Sequence, residues 1–348
     1  MADVLSLRGH LSNRKEWILT FVGIFALILF WYLLTAGSDP LVNTNILPKP
    51  LDVFKSFGQL INENSLFKNI CFSLGLNILG YTEAIFIAVP LGFLIGLFPT
   101  IRGLFQHHID AIRYLPLTAL TGIFILWYGL GIEMKVHFLA FGILIYLLPV
   151  VVQRIDEVKE VYLLTVYTLG ANTWQTIRTV FFPSVISRLS DDIRVLTAIS
   201  WTYIIIAEAQ GNEGGIGGLI WRVGQRQGRY DKVFALLVVI MIIGFLQDKM
   251  FSSLDKKFFP FKYDGLLDKK QNSSKSQLSN FFILAQNAFY WLFLAIYTVL
   301  FINEFIPILS EIPILTDLFG GTVWIIHFYF LLLLGYEIYQ LIYTKKQK

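Results

Sequence analysis

The chain has 348 residues, of which 55% are hydrophobic and 15% charged, with a mean hydropathy of +0.63. That much apolar surface exceeds what a soluble core hides, so the long apolar runs are expected to cross a membrane. The formal charge of +4 is small and the basic residues are not interleaved with aromatics, which argues against a nucleic-acid groove; a single cysteine, Cys71, excludes an intrachain disulfide and a Cys-rich metal site.

Arg8, Arg14 and Lys15 precede a first apolar run, Trp17 to Ala36, long enough to cross about 30 Å of hydrocarbon. A signal peptide is the competing reading, but its apolar core is shorter, about 7 to 15 residues. Pro48 and Pro50 set a turn before a short amphipathic segment from Leu51. A second span, Ile70 to Phe98, carries Glu83 and Pro90; a charged loop with Arg102, His107, His108, Asp110 and Arg113 follows. Leu115 to Leu130 and Val136 to Val152 form the third and fourth spans. After a polar interruption, Arg154 to Arg194, come a short fifth span, Val195 to Ala209, and a glycine-rich loop, Gly211 to Gly218, without the Gly-Lys-Ser/Thr ending of a phosphate-binding loop. Lys232 to Gln247 is the sixth span. A Lys-rich linker, 263–279, leads to two further spans within 280–343, Asn280 to Ile302 and Thr322 to Tyr343, and a basic tail, 344–348.

With residues 1–16 on the cytoplasmic side and eight spans, twenty of the 28 lysines and arginines face the cytoplasm. That asymmetry is what the positive-inside rule expects, with both termini inside.

Within the polar interruption, Leu164 to Pro183 reads as a helical hairpin facing water, part of a projection over about 156–185. Gly170 supplies the turn and Pro183 stops the second segment. Trp174 and Ile177, with Phe181 a turn on, form an apolar stripe flanked by Gln175 and Arg178. Inside the membrane, Glu83 and Glu208 are the costly residues: Glu83, deep in its span, reads as buried in the bundle or lining a path, and Glu208 as lining a gate or path or sitting at the interface at the end of a short span. Trp127, Trp201 and Tyr203 are candidates to line such a path, with belt or packing roles as the plainer reading. Arg222, Arg226 and Arg229 are spaced to share one helical face on the outer side, where they would steer an anion or dock a protein, or be a solvated face. Walker A, HExxH and GxSxG sequences are absent, as is any metal-ligand spacing of His, Cys and Asp, so no covalent chemistry is expected of the chain.

Several stretches resemble the permease subunits of ATP-binding-cassette importers. Leu169-Gly170-Ala171-Asn172 and then Val180-Phe181-Phe182-Pro183 resemble the EAA loop, EAA-x3-G-x9-I-x-LP, although Leu164-Thr165-Val166 stand where the family has Glu-Ala-Ala. Leu47 to Val53 is similar to LPSPxxV; Arg113, Pro116, Ala119 and Trp127 to Gly131 to RPIPxxA…WFGxG, with Gly122 at the second proline; Trp201, Ala207-Glu208 and Gly214 to Gly218 to AW…AAE…GLG; and Leu254 to Phe261 to LxRRLLPW. The resemblance covers about residues 15–262 and is to the nitrate/sulfonate/taurine branch of type I importers.

The resemblance implies an all-α polytopic membrane protein: a six-helix importer core over 17–262 plus two additional C-terminal helices. It implies a coupling hairpin, with Leu169, Gly170, Ala171, Trp174, Ile177, Arg178 and Pro183, docked on a cytoplasmic ATP-binding subunit. That subunit would hold ATP and magnesium, with no cofactor in this chain. It also implies a second permease copy, an extracytoplasmic solute-binding protein and a bacterial inner-membrane location. A scaffold that keeps the permease fold without moving a solute is the alternative, motivated by the altered EAA opening and the two added spans.

Overall fold

The computed structural model describes residues 13–37, 39–211, 213–263, 277–306 and 313–346. Much of the expected Lys-rich linker, and the chain before Asn13, lie outside them. Every regular element among the described residues is helical: α1 (Asn13–Thr35), α2 (Pro50–Glu63), α3 (Leu66–Leu97), α4 (Pro99–Ile112), α5 (Leu117–Tyr128), α6 (Ile132–Asp156), α7 (Glu160–Thr168), α8 (Thr173–Thr176), α9 (Phe182–Ala209), α10 (Ile216–Trp221), α11 (Tyr230–Phe258), α12 (Gln277–Phe305), α13 (Ile314–Phe319) and α14 (Val323–Lys346). Two compact units result, residues 1–65 with 220–239, and residues 66–219 with 240–348.

In the first unit, α1 is apolar and exposed on nearly all sides, as a lipid-facing helix is. Its end is pinned where the Trp31 indole N–H donates to the Pro48 carbonyl (2.9 Å) and stacks near Phe234 (5.9 Å between centroids). α2 starts on Pro50, whose missing N–H costs nothing in a first turn, and buries Val53, Ser56 and Leu60 on one face. Ser56 Oγ donates to Asp231 (2.7 Å), and Lys232 donates to Glu63 (3.0 Å) and Asn64 (2.9 Å).

The second unit is built on α3 and α6. A Cβ on Gly80 would fall 2.8 Å from Leu139, and one on Gly92 2.5 Å from Val151, so the bare backbone of α3 is what admits the α6 side chains. α9 packs on the same α6 and buries Val185, Leu189, Leu196, Trp201 and Ile204. α13 and α14 lie against α3, where a Cβ on Gly75 would collide with the Thr322 side chain at 2.0 Å.

Among the described residues, five helical segments are long and apolar enough to cross a membrane, at 15–35, 66–97, 132–156, 230–258 and 314–340; α4 and α5, bent by 105° at their junction, make a sixth if taken together. This corrects the expectation in three places. The segment at 99–112 is a helix, not a charged loop: Pro99 opens it, Ile109 is buried, and its charges stay outward, Arg102 pairing with Asp156 at 2.6 Å. The third span is only twelve residues, stopped at Gly129, whose φ of +75° suits a residue without a Cβ. The fifth belongs to a 28-residue helix whose first half carries Arg188, Asp191, Asp192 and Arg194. The glycine-rich loop is also shorter than expected, since α10 has begun by Ile216.

Candidate functional site

The hairpin forms where the sequence places it. α7 ends on Leu169, and Gly170 takes φ +79°, a left-handed value that strains any residue with a Cβ. Gly170 N–H then reaches Tyr167 O (3.0 Å) and Ala171 N–H reaches Val166 O (3.0 Å), satisfying carbonyls the helix end would leave open. Asn172 caps the next helix in a reciprocal box: its Oδ1 accepts from Gln175 N–H (2.8 Å), and Gln175 Oε1 accepts from Asn172 N–H (2.9 Å). Gln175, expected merely to flank the apolar stripe, therefore holds the turn. The Asn-x-x-Gln spacing is the signal that identifies it.

Pro183 does not end this segment. A π turn over Ile177–Phe181 carries α8 straight into α9, with Phe182 N–H bonded to Ile177 O, and Pro183 sits in the first turn of α9, where its lack of a donor is harmless. The apolar stripe runs outward: Phe181 and Ile177 are half-buried, while Trp174 is 70% exposed and Leu169 81%. Val161, Tyr162, Leu164 and Tyr167 of α7 are exposed beside them, Ala171 is half-buried, and Arg178 points to water. Thr176 and Val180 face the protein. An exposed apolar tip on a stiff, capped turn is the character of a docking surface.

Its root is fixed by charge. Arg154 makes two 2.7 Å bonds to Asp192 and one of 2.6 Å to Glu157, and Arg188 donates to the Glu157 backbone (3.2 Å) and side chain (3.3 Å). The bond from Arg154 holds the Glu157 carboxyl below the usual carboxylate range. Glu160 stands exposed in the first turn of α7, where a carboxylate complements the helix N-terminus.

Each of the five residues expected to line a path has its own surroundings. Glu83 bonds the ring of His137 (2.7 Å), which lies 4.4 Å from the Tyr128 ring, so it has a partner inside the bundle. Tyr203 packs beside Leu117 and Phe138, and Trp127 projects outward next to Phe124. Trp201 is buried rather than lining, its indole donating to Gln247 (2.9 Å). Glu208, likewise expected at a path or interface, is 0% exposed. It accepts from Ser73 Oγ (2.6 Å) and Gly217 N–H (2.8 Å), while Ser73 Oγ accepts from Ile216 N–H (2.8 Å) and Asn69 Oδ1 from Gly215 N–H (2.9 Å). A buried carboxylate and two polar residues of α3 thus fold the glycine loop onto the bundle. Lys135, 1% exposed, closes the arrangement by pairing with Glu213 at 3.1 Å. Asn69, Ser73, Lys135 and Glu213 escape a sequence reading because nothing local marks them as partners. A cavity of about 420 Å³ beside Phe72, lined by Lys68, Glu213, Thr316 and Asp317, receives none of the five.

Of the arginine triplet, Arg222 and Arg226 are exposed on a π turn, which breaks the α-helical register that was to align them. Arg229 lies beyond that turn, committed to Asp231 (2.6 Å) and Gln59 (2.7 Å), and is not a free charge.

Residues 88–259 match the family model described as the binding-protein-dependent transport system inner membrane component. The chain is 24% identical over 274 residues to the taurine transport system permease protein TauC of Escherichia coli (strain K12), covering 75% of this chain and 98% of that protein. It is 25% identical over 258 residues to SsuC of Bacillus subtilis (strain 168), described as an aliphatic sulfonates transport permease, covering 73% and 91%. A permease protein of Methanocaldococcus jannaschii is 28% identical over 258 residues, covering 72% and 94%.

Proposed function

We infer, from the match of residues 88–259 to the binding-protein-dependent transport system inner membrane component, that this chain is a permease subunit of an ATP-binding-cassette importer and moves a small anionic solute of the sulfonate class by alternating access. The observation that carries the mechanism is the hairpin tip: Trp174 and Leu169 exposed on a turn fixed by Gly170 and the Asn172–Gln175 box. A docked ATP-binding subunit, holding ATP and magnesium, would cover that tip. Leu169, Gly170, Ala171, Trp174, Ile177 and Arg178 form the contact in this reading, and Pro183 starts the helix behind it. The hairpin lies on the cytoplasmic side with both termini, in a bacterial inner membrane. Two copies of the chain enclose the path, and a solute-binding protein delivers from outside. The exposed Arg222 and Arg226 suit an acidic docking surface or an anion there.

A stiff lever is what coupling requires, since a hinge that bends absorbs the displacement it should pass on. The capped turn and the π turn leading unbroken into α9 supply that stiffness. The names of TauC and SsuC support the sulfonate class. The test is uptake of taurine and of an alkanesulfonate into liposomes holding the permease, its ATPase and its binding protein. ATP-dependent accumulation is expected. Trp174→Ala is expected to weaken docking about tenfold or more, as loss of a central Trp does at interfaces, and to abolish uptake while leaving the ATPase competent. Full coupling in Trp174→Ala refutes the hairpin reading.

A scaffold reading draws on one observation: α12 to α14 lie beyond residues 88–259, the stretch that the family model matches. It predicts assembly with the ATPase and no uptake of any solute.

A further inference from the structure

Within the second unit, the C-terminal end of α11 is held from two sides. Toward α9, Arg194 makes two bonds to Asp248 (2.5 and 3.0 Å), Ser190 donates to Asp255 (2.5 Å), and Lys262 pairs with Asp191 (2.8 Å) and Asp255 (3.1 Å). Tyr263 also donates to Asp255, and that bond raises the phenol to about 12. Toward the C-terminal helices, the Lys257 ammonium pairs with Glu337 of α14 and lies over the rings of Tyr290 (5.0 Å) and Tyr336 (5.3 Å). Tyr290 donates to the same carboxylate (2.9 Å), and Phe258 packs on Tyr336 (5.0 Å between centroids).

Three features make this more than helix packing. Glu337 is only 7% exposed, so its charge is costly unless paired, and one lysine from another helix pairs it. Lys257 and Asp255 stand two residues apart, so one turn of α11 carries both attachments. The stretch of α9 that receives the other attachment, Ser190–Arg194, is also where Asp192 anchors Arg154 at the hairpin root. The C-terminal helices are themselves fastened to α3, by Lys68 with Asp317 (2.5 Å), by the Thr82 and Tyr329 hydroxyls (2.9 Å), and by the close fit of Thr322 on Gly75. A continuous series of charged and hydrogen-bonded contacts therefore runs from α3 through the C-terminal pair and α11 to the base of the hairpin.

We propose that α12 and α14 brace the end of α11, with Lys257 and Glu337 as positioning residues, and through it fix the Ser190–Arg194 stretch from which the coupling hairpin springs. The brace rests on reading the hairpin as the coupling element. It gives the added helices a task inside this subunit: to keep the base of the lever from yielding when its tip is pushed.

The test is amide hydrogen exchange on the full chain, assembled with its ATP-binding subunit in nanodiscs. Lys257→Glu and Glu337→Lys are each expected to speed exchange of amides in 186–196 about tenfold, and the double exchange of charges is expected to restore it. Should a reversed charge prevent assembly, Glu337→Gln provides the milder break with the same expected location and no like-charge clash. Faster exchange confined to 254–263 and 333–340, or failure of the double variant to recover, overturns the brace. Protection of 160–182 on adding the ATP-binding subunit to wild type is scored separately. Its absence refutes the hairpin reading and leaves the response at 186–196 to judge the brace.

Discussion

Removing the Glu208 carboxylate takes the partner from two buried donors, the Ser73 hydroxyl and the Gly217 N–H, at a position with 0% exposure. In Glu208→Ala each orphaned donor costs about 1–3 kcal/mol, and a small void is added. Relief from burying a charge offsets part of this, leaving a net loss of about 3–5 kcal/mol. Glu208→Gln keeps the shape and one acceptor but turns an N–H2 toward one of the two donors. It should cost about 1–3 kcal/mol, the price of one mismatched buried group. The Gly215 N–H and Ile216 N–H keep Asn69 and Ser73, so the loop loosens at Gly217 and not along its whole length. Reversible denaturation of the purified chain in mixed micelles measures both variants. A loss below about 1 kcal/mol in Glu208→Ala, or a larger loss in Gln than in Ala, would refute the account of this carboxylate as the loop's anchor.

Two further outcomes follow, one from close backbone approach and one from charge at the hairpin root. Gly217→Ala places a methyl 2.4 Å from the Ile205 carbonyl oxygen, backbone that no rotamer change can move, whereas Gly244→Ala meets nothing within 4 Å. The first should cost about 1–3 kcal/mol or more by overpacking, and the second should be neutral or slightly stabilising, in the same denaturation experiment. At the hairpin root the folded Glu157 carboxyl titrates below its unfolded value, so its contribution is complete above about pH 4.3 and is lost as pH falls through the lower folded value. Protection factors over 156–168, the exchange rates taken relative to the intrinsic rates at each pH, should fall on acidification through that window in wild type and already be low, and less pH-dependent, in Glu157→Gln.

The elements that packing dictates locally were legible. α1, α3, α6 and α11 announce themselves as apolar runs, and the hairpin turn is written in Gly170. What escaped was set by partners distant in sequence. The charges at 188–194 suggest a loop before a short span, because Asp192 finds Arg154 and Arg194 finds Asp248 only after folding. α4 looks polar because six of its residues can titrate or hydrogen-bond, yet its apolar positions recur at helical spacing around the buried Ile109. Glu208 and Trp201 each carry two readings in the sequence, path lining or a plainer role, because polar and aromatic residues in spans take either. Their burial depends on Ser73 and Gln247, far away in sequence, and on Gly217 beyond a turn, so it is decided only by folding. The five path candidates stand out one by one in the sequence, and a common cavity is a relation among helices that single residues do not carry.

The π turn at Ile177–Phe181 has a consequence for how this hairpin is aimed. A π turn holds about one residue more than an α turn, so the residues beyond it stand about 100° out of the phase that α-helical counting gives them. The compass bearing of Trp174 around the α9 axis is therefore recorded in a residue count between Asn172 and Pro183, largely independent of which side chains fill it. Deleting one residue there is taken up by closing the π turn to an α turn, whereas inserting one swings the aromatic face by about a quarter turn while every individual contact chemistry stays available. Substitution across this stretch and insertion within it are thus different kinds of change: the first alters what the tip is made of, the second where it looks.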